Sequence, residues 1–232
     1  MAVKIYNVIN RGIRIRENGV FTAPELIADA GVFFEEAGGY YAGANIIVGE
    51  KEYAIIIAPK ELGQYSGTRQ WKTSNSNSSG TGSTFNGKSN TEAMASVGIN
   101  IHPAAKYCME LDINGFTDWH LPSVDELEVC YRFLKPSTQD NTTSVKSLHS
   151  AVNGTNPNSN PQGAGYNISD PSQTTVFSFQ EGSNQSFDTV SYWSSTQYSD
   201  NSAWYFLMSN GNASPLSKTT SYNTRAVRWI EV

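Results

Sequence analysis

The side chains able to do chemistry in this chain are few and scattered. The three histidines, His102, His120 and His149, share no His-x-x-x-His spacing, which would set two imidazoles on one helical face for a metal. Asp125, Glu126 and Glu128 crowd one short stretch, and a hydrolase needs either two carboxylates or a nucleophile with a base. They directly follow Ser123, however, and acids in the first turn of a helix complement its positive end, so they read as helix-start charges. Cys108 and Cys130 are the only cysteines. Both fall inside expected amphipathic helices and read as buried thiols packing as small hydrophobes. A disulfide between them stays open, although a protein made in a reducing cytosol rarely depends on one. The reading is of a chain that is not an enzyme and uses no cofactor and no metal.

The residues suited to holding a partner concentrate near the C-terminus. Tyr192-Trp193-Ser194-Ser195-Thr196, Ala203-Trp204-Tyr205-Phe206 and Arg225-Ala226-Val227-Arg228 are aromatic or mixed runs separated by polar loops. Asn210-Gly211 between two such runs predicts a two-residue hairpin, because a type I′ turn needs two positions tolerant of positive φ. The expected ligand face comprises Gln197, Tyr198, Asp200, Asn201, Trp204, Asn212, Ser214, Lys218 and Tyr222, in or beside the closing loops. Tyrosine rings stack while Asn, Asp and Lys hydrogen-bond, a combination that binds without making bonds. Trp204 and Tyr205 are adjacent on one strand and therefore face opposite ways. Trp119 and Trp193 read as core anchors, and Asp118 with Arg228 as a buried ion pair tying a corner to the last strand.

Positioning these residues requires an α+β domain over residues 38–232. Residues 46–48 and 53–58 predict a strand, turn and strand, the second apolar enough to be central and covered on both faces. Residues 73–90 are almost all Ser, Asn, Gly and Thr and read as a long surface loop. A helix then begins near Thr91-Glu92, breaks at Gly98 and resumes after Pro103, with Ala104, Tyr107, Cys108 and Leu111 on one face. Ser123 and Glu126 form a capping box for a further helix that buries Val124, Leu127, Cys130, Tyr131 and Leu134 and stops at Pro136. Residues 137–172 form a second polar insertion, residues 174–181 a short helix, and two helices are expected to pack on one antiparallel sheet.

The net charge of −5 argues against nucleic acid as the partner, and no apolar run reaches the length of a membrane span. Lys4, Arg11, Arg14 and Arg16 precede the first acid, so residues 1–16 carry +4 and the rest −9. Residues 13–16 alternate Ile and Arg as a strand with one basic face, and residues 23–30 read as a short helix with an early proline. Too apolar-poor for a core of its own, the segment 1–37 is expected to be an anchoring or oligomerisation arm that docks through Arg11, Arg14 and Arg16. The first residues show no apolar stretch and cleavage site of a Sec signal.

Gly39-Tyr40-Tyr41-Ala42-Gly43, Tyr53-Ala54-Ile55-Ile56-Ile57-Ala58-Pro59-Lys60, Gly115-Phe116-Thr117-Asp118-Trp119-His120-Leu121-Pro122 and the closing motifs above together resemble one family. It is the C-terminal domain of Lcl-type collagen-like bacterial adhesins, which also occurs in phage virion and tail proteins. The resemblance implies a C-type-lectin-like fold, with two helices flanking a twisted antiparallel sheet, and adhesion or receptor binding in place of a reaction. The chain departs from the secreted adhesins in having no collagen repeat, and from calcium-dependent lectins in having no Glu-Pro-Asn or Trp-Asn-Asp motif. The expectation is a phage virion protein, made in the host cytoplasm, with a host cell-surface glycan or protein as ligand. Other virion proteins are expected at its arm, together with copies of itself as a homo-oligomer and no membrane insertion. A capsid decoration or baseplate protein without a ligand, and a bacterial surface adhesin, are the alternatives.

Overall fold

The computed structural model describes residues 29–232. Strands β1 (Phe33–Phe34), β2 (Gly39–Val48) and β3 (Lys51–Ile57) come first, then one helical turn, α1 (Lys60–Gly63), and the short β4 (Arg69–Gln70). Helices α2 (Gly87–Gly98), α3 (Pro103–Met109) and α4 (Val124–Leu134) follow, and β5 (Ser159–Asn160) lies within the long polar region behind them. The chain closes through β6 (Ser191–Gln197), β7 (Ser202–Leu207), β8 (Asn212–Ser217), β9 (Ser221–Tyr222) and β10 (Val227–Glu231). This is the α+β class. The strand and helix expected over residues 13–16 and 23–30, with Arg11, Arg14 and Arg16, lie outside the described residues, apart from residues 29 and 30.

The central sheet runs β1-β2-β3-β10, with β5 on another stretch of β2. Its inner strand β3 buries Ala54 through Ile57 because both of its faces are covered. Ile55 and Ile57 pack with Leu127, Cys130 and Leu134 of α4, whereas Ala54 and Ile56 join Met94 of α2 and Ala104 and Cys108 of α3. Period-two alternation thus gives one strand two cores. It also separates the cysteines: both are free, buried, and in different cores. Burial pushes both thiols far above their usual range.

Among the described residues the sheet expected to be one is three: β4 pairs there only with β9, and β6-β7-β8 form their own antiparallel unit. The reason lies along β6, whose backbone N–H groups go to loops: Ser195 to the Pro122 carbonyl (2.7 Å) and Gln197 to that of Thr81 (2.7 Å). The hairpin between β7 and β8 is also longer than expected, since Leu207 pairs with Asn212 and four residues turn the chain. Met208 is fully buried and gives its N–H to Val190, so pairing ends before it. Only Gly211 has positive φ (74°), and a Cβ there would meet the Tyr131 and Tyr166 rings within 2.7 Å. Phe33 and Phe34 pair with Tyr40 and Gly39, so the described end of the expected arm lies against the sheet.

The polar segments are packed, not loosely tethered. Helix α2 starts at Gly87, earlier than expected, because Asn86 caps it by accepting from Ser89 N–H (2.8 Å). Ser78, Thr81 and Asn90, assigned to a surface loop, are buried and hydrogen-bonded. Residues 174–181 form only a 3-10 turn, Phe177–Phe179. Asp118 and Arg228 do pair bidentately (2.6 and 3.0 Å), but the Asp118 side chain is 41% exposed, so the pair sits at the surface.

Helix α4 opens with the expected capping box, and every early N–H finds a partner. Val124 N–H donates to Thr196 Oγ1 (3.2 Å), Asp125 N–H to the Thr84 carbonyl (2.9 Å) and Glu126 N–H to Ser123 Oγ (3.3 Å). Glu126 is more than a helix-start charge. Its fully buried carboxylate accepts from Ser123 N–H (2.6 Å), Gly87 N–H (3.1 Å), His120 Nε2 (2.9 Å) and Trp229 Nε1 (2.5 Å). Gly87 must be glycine here, because a Cβ would come within 2.2 Å of Glu126 Oε2. Burial alone would raise this carboxyl, but His120 and the donated hydrogen bonds outweigh it and hold it below its ordinary value of 4.5.

Glu126→Gln places an amide against two N–H donors that need an acceptor. It is expected to cost about 3–5 kcal/mol, the range for breaking a buried charge pair, as read by urea unfolding. Because the folded pKa is depressed, the carboxylate's contribution is full above pH 4.5 and lost as pH falls through the folded value. The wild-type stability should therefore fall in acid more steeply than that of the variant.

Candidate recognition face

The best catalytic geometry in the described residues is sealed. His120–Glu126 and His149–Asp125 resemble acid–base dyads, yet all four side chains are at most 3% exposed. His149 Nε2 lies 3.2 Å from Asp125 Oδ1 but out of hydrogen-bonding line. Glu128, equally buried, takes Arg132 Nη2 (2.5 Å), Tyr166 OH (3.0 Å) and Asn156 Nδ2 (2.7 Å). These acids read as helix-start charges in sequence, but each stitches the polar insertion or the corner onto α4. No group of three His, Cys, Asp or Glu in metal-binding reach occurs among the described residues.

The motif Tyr192-Trp193-Ser194-Ser195-Thr196 is scaffold, with every residue buried. Trp193 Nε1 donates to the Arg69 carbonyl (3.0 Å), and Asn90 Nδ2 donates to Ser195 Oγ (3.2 Å). Trp119 is likewise a core anchor, its Nε1 satisfied by the Phe116 carbonyl (2.8 Å).

Of the nine residues expected at the ligand face, the structure brings some together and separates others. On β7, Trp204 and Tyr205 face opposite ways. Trp204 meets the exposed Tyr198 edge-on at 5.4 Å. Tyr205 lies 5.1 Å from Tyr222, which in turn lies 4.9 Å from Trp193. Asn212 Nδ2 donates to Tyr205 OH (3.2 Å) and Ser214 Oγ to Asn212 Oδ1 (3.4 Å), so these two join Tyr222 on the Tyr205 side. Asp200 and Asn201 are exposed in the β6–β7 loop near Tyr198.

Lys218 is the clear departure. Its side chain is fully buried, with Nζ donating to the Ser76 carbonyl (3.0 Å), the Asp200 carbonyl (2.8 Å) and Gln197 Oε1 (2.5 Å), 4.7 Å over the Trp71 ring. Gln197 Oε1 also receives Ser78 N–H (2.8 Å). Lys72, nearly as buried, donates to the Ser76 and Asn77 carbonyls (3.2 and 2.6 Å). Two ammonium groups thus clamp residues 76–77, and neither Lys218 nor Gln197 is left for a ligand. Burial and then the Lys72 charge push Lys218 down to about 8.

The sequence reading missed the far half of the Tyr205 side. β4 pairs with β9 so that Arg69 lies opposite Tyr222, and paired residues point the same way. The Arg69 guanidinium rests 3.9 Å from the Tyr65 ring centre and 5.5 Å from that of Tyr107. Burial pushes the Tyr107 hydroxyl up to about 12, so it is a neutral donor. The result is a half-exposed aromatic strip, Tyr205–Tyr222–Arg69–Tyr65–Tyr107, edged by Asn212 and Ser214. A two-residue strand pair joining distant segments leaves no periodic signal to find it by.

The family model described as the Lcl C-terminal domain matches residues 66–228, which takes in the two-lysine clamp, the strip except Tyr65 and the Glu126 hub except Trp229. No curated protein and no solved structure matches the chain.

Lys218→Met keeps the stem but removes one donor from each of three acceptors and leaves the Asp200 carbonyl with none among the described residues, and about 1–3 kcal/mol of stability should be lost by denaturant titration at pH 7. A lysine whose folded pKa lies below its unfolded 10.5 makes wild-type stability rise between pH 8 and 10. The gap between wild type and variant should therefore widen over that range.

Proposed function

We propose, for a chain that belongs to the Lcl C-terminal domain family, a non-enzymatic role in host-surface recognition on a phage virion, through a C-type-lectin-like module. The family match supports an adhesin-like or surface protein. One observation carries the choice of face. The Tyr205–Tyr107 strip sets four half-exposed tyrosines, one arginine and two small polar side chains on one side of two short sheets. Rings offer stacking surface at low entropic cost, and Asn212, Ser214 and the tyrosine hydroxyls offer directional hydrogen bonds, whether to a glycan or a protein loop.

The scaffold supports the reading. Strands, the lysine clamp and the Glu126 hub hold the face before a ligand arrives, so little ordering entropy is lost on binding. Each polar contact is worth only about 0.5–1.5 kcal/mol, so useful attachment needs many copies on one particle. The basic segment with Arg11, Arg14 and Arg16 supplies that display by docking on other virion proteins or by oligomerisation.

Labelled chain applied to cells of the host tests the proposal. Tyr205→Leu with Tyr222→Leu should lower cell binding by more than tenfold, about 1.4 kcal/mol or more. Circular dichroism should show the fold retained. Tyr198→Ala, on the opposite face, should bind as wild type does. Normal binding by the double variant, or loss confined to Tyr198→Ala, sinks the assignment.

A further inference from the structure

Four arginines lie in the described residues, and three are engaged by acceptors. Arg132 pairs with Glu128, Arg228 with Asp118, and the buried Arg225 donates to the Ala58 and Gln185 carbonyls. Arg69 differs. Its guanidinium makes no hydrogen bond and no ion pair among the described residues, and its Nε is shut from solvent without an acceptor. A guanidinium wedged between two tyrosine rings, 3.9 Å from the centre of one and 5.5 Å from the other, keeps its planar fork of donors oriented, and a fork of that shape fits a carboxylate bidentately.

The surroundings narrow the ligand further. Tyr65 is fixed through its N–H to the Thr224 carbonyl (3.0 Å), and Tyr107 meets Tyr65 edge-on at 5.4 Å. Tyr107 OH reaches toward the Leu62 carbonyl (3.5 Å), and Leu62 is 49% exposed. Across the strand pair lies Tyr222. An arginine among three tyrosines has the composition of a protein-binding hot spot, and the exposed Leu62 beside it offers apolar contact area. The chain as a whole carries −5, which repels a polyanionic polysaccharide but scarcely affects a single carboxylate meeting a local cation.

We propose that Arg69, cradled by Tyr65 and Tyr107, is the anchor for one carboxylate of a protein partner, an Asp or Glu flanked by apolar residues that settle on Leu62 and Tyr222. This rests on the recognition reading of the strip and names what the strip recognises.

The experiment is a titration of the isotope-labelled full chain, followed by NMR, with acetyl-Leu-Glu-Leu-amide, its Gln counterpart and an oligogalacturonate. The Glu peptide should shift the Arg69 Nε–H and the Tyr222 amide, and bind at least about tenfold tighter than the Gln peptide. Arg69→Gln should erase that preference while leaving the remaining spectrum in place. Arg69→Lys should restore only part of it, because a point charge lacks the fork. Equal binding of the two peptides, no shift with either, or a response to oligogalacturonate alone would each overturn the proposal. Loss of cell binding in the Tyr205/Tyr222 double variant together with an indifferent Arg69 would leave the recognition reading standing and remove this one.

Discussion

The buried carboxylate of Glu126 is the contact on which the arrangement depends. An ionised carboxylate taken out of water is tolerated only when its lone pairs are filled, and here four donors fill them from four parts of the chain. Ser123 belongs to the cap of α4, Gly87 to the start of α2, His120 to the corner and Trp229 to the last strand. The two cores lie on opposite faces of the central sheet, and this one group ties both of their helix sets to its edge strand. Against the cost of burial, two of these donors, His120 and then Ser123, hold its pKa below the ordinary value. The need for glycine at position 87, where the backbone must approach the carboxylate closely, follows from the same contact.

Much of the remaining cohesion is polar. Where the sequence offers only Ser, Asn, Gly and Thr, backbone carbonyls are gathered by buried side chains: Lys72 and Lys218 around residues 76–77, and Lys135 on the Gln139 and Pro171 carbonyls (2.5 and 3.2 Å). A lysine amine carries up to three N–H groups and can serve several loops at once. Desolvation of that amine depresses its pKa, as at Lys218 and Lys135. Loops held in this way act as rigid supports for neighbouring strands, which is what a preformed recognition face requires.

The aromatic strip illustrates how position in the fold assigns a role that residue type does not. Tyr192 and Tyr222 are both tyrosines beside the closing strands, yet the first is sealed and hydrogen-bonded to Gln64 (2.9 Å) while the second is half-exposed. Lys218 and Arg69 are both cations in polar neighbourhoods. The first is consumed by carbonyls, and the second lies against rings with its donors unmatched among the described residues. Arg69 drew no attention in the sequence because, of its partners, Tyr65 lies in the loop before it and Tyr107 and Tyr222 come from the distant α3 and β9.

The sequence by itself determined what depends on neighbours a few residues away. The capping box at Ser123 and Glu126, the stop before Pro136, the break at Gly98, the β2–β3 turn and the two-faced apolar run of β3 are all local, set by side-chain spacing and backbone preference. Tertiary structure alone decided the four-residue turn before Asn212, the inward course of Lys218 and the burial of Asp125, Glu126 and Glu128. It also decided the meeting of Arg69 with Tyr222. Each of those outcomes depends on which distant backbone or ring arrives to satisfy a polar group or fill a space. A buried Met208 ends the pairing of β7 with β8, and loop carbonyls from residues 76 and 200 capture a lysine. Residue type states what a side chain can do; only the packed chain fixes which of its partners is within reach.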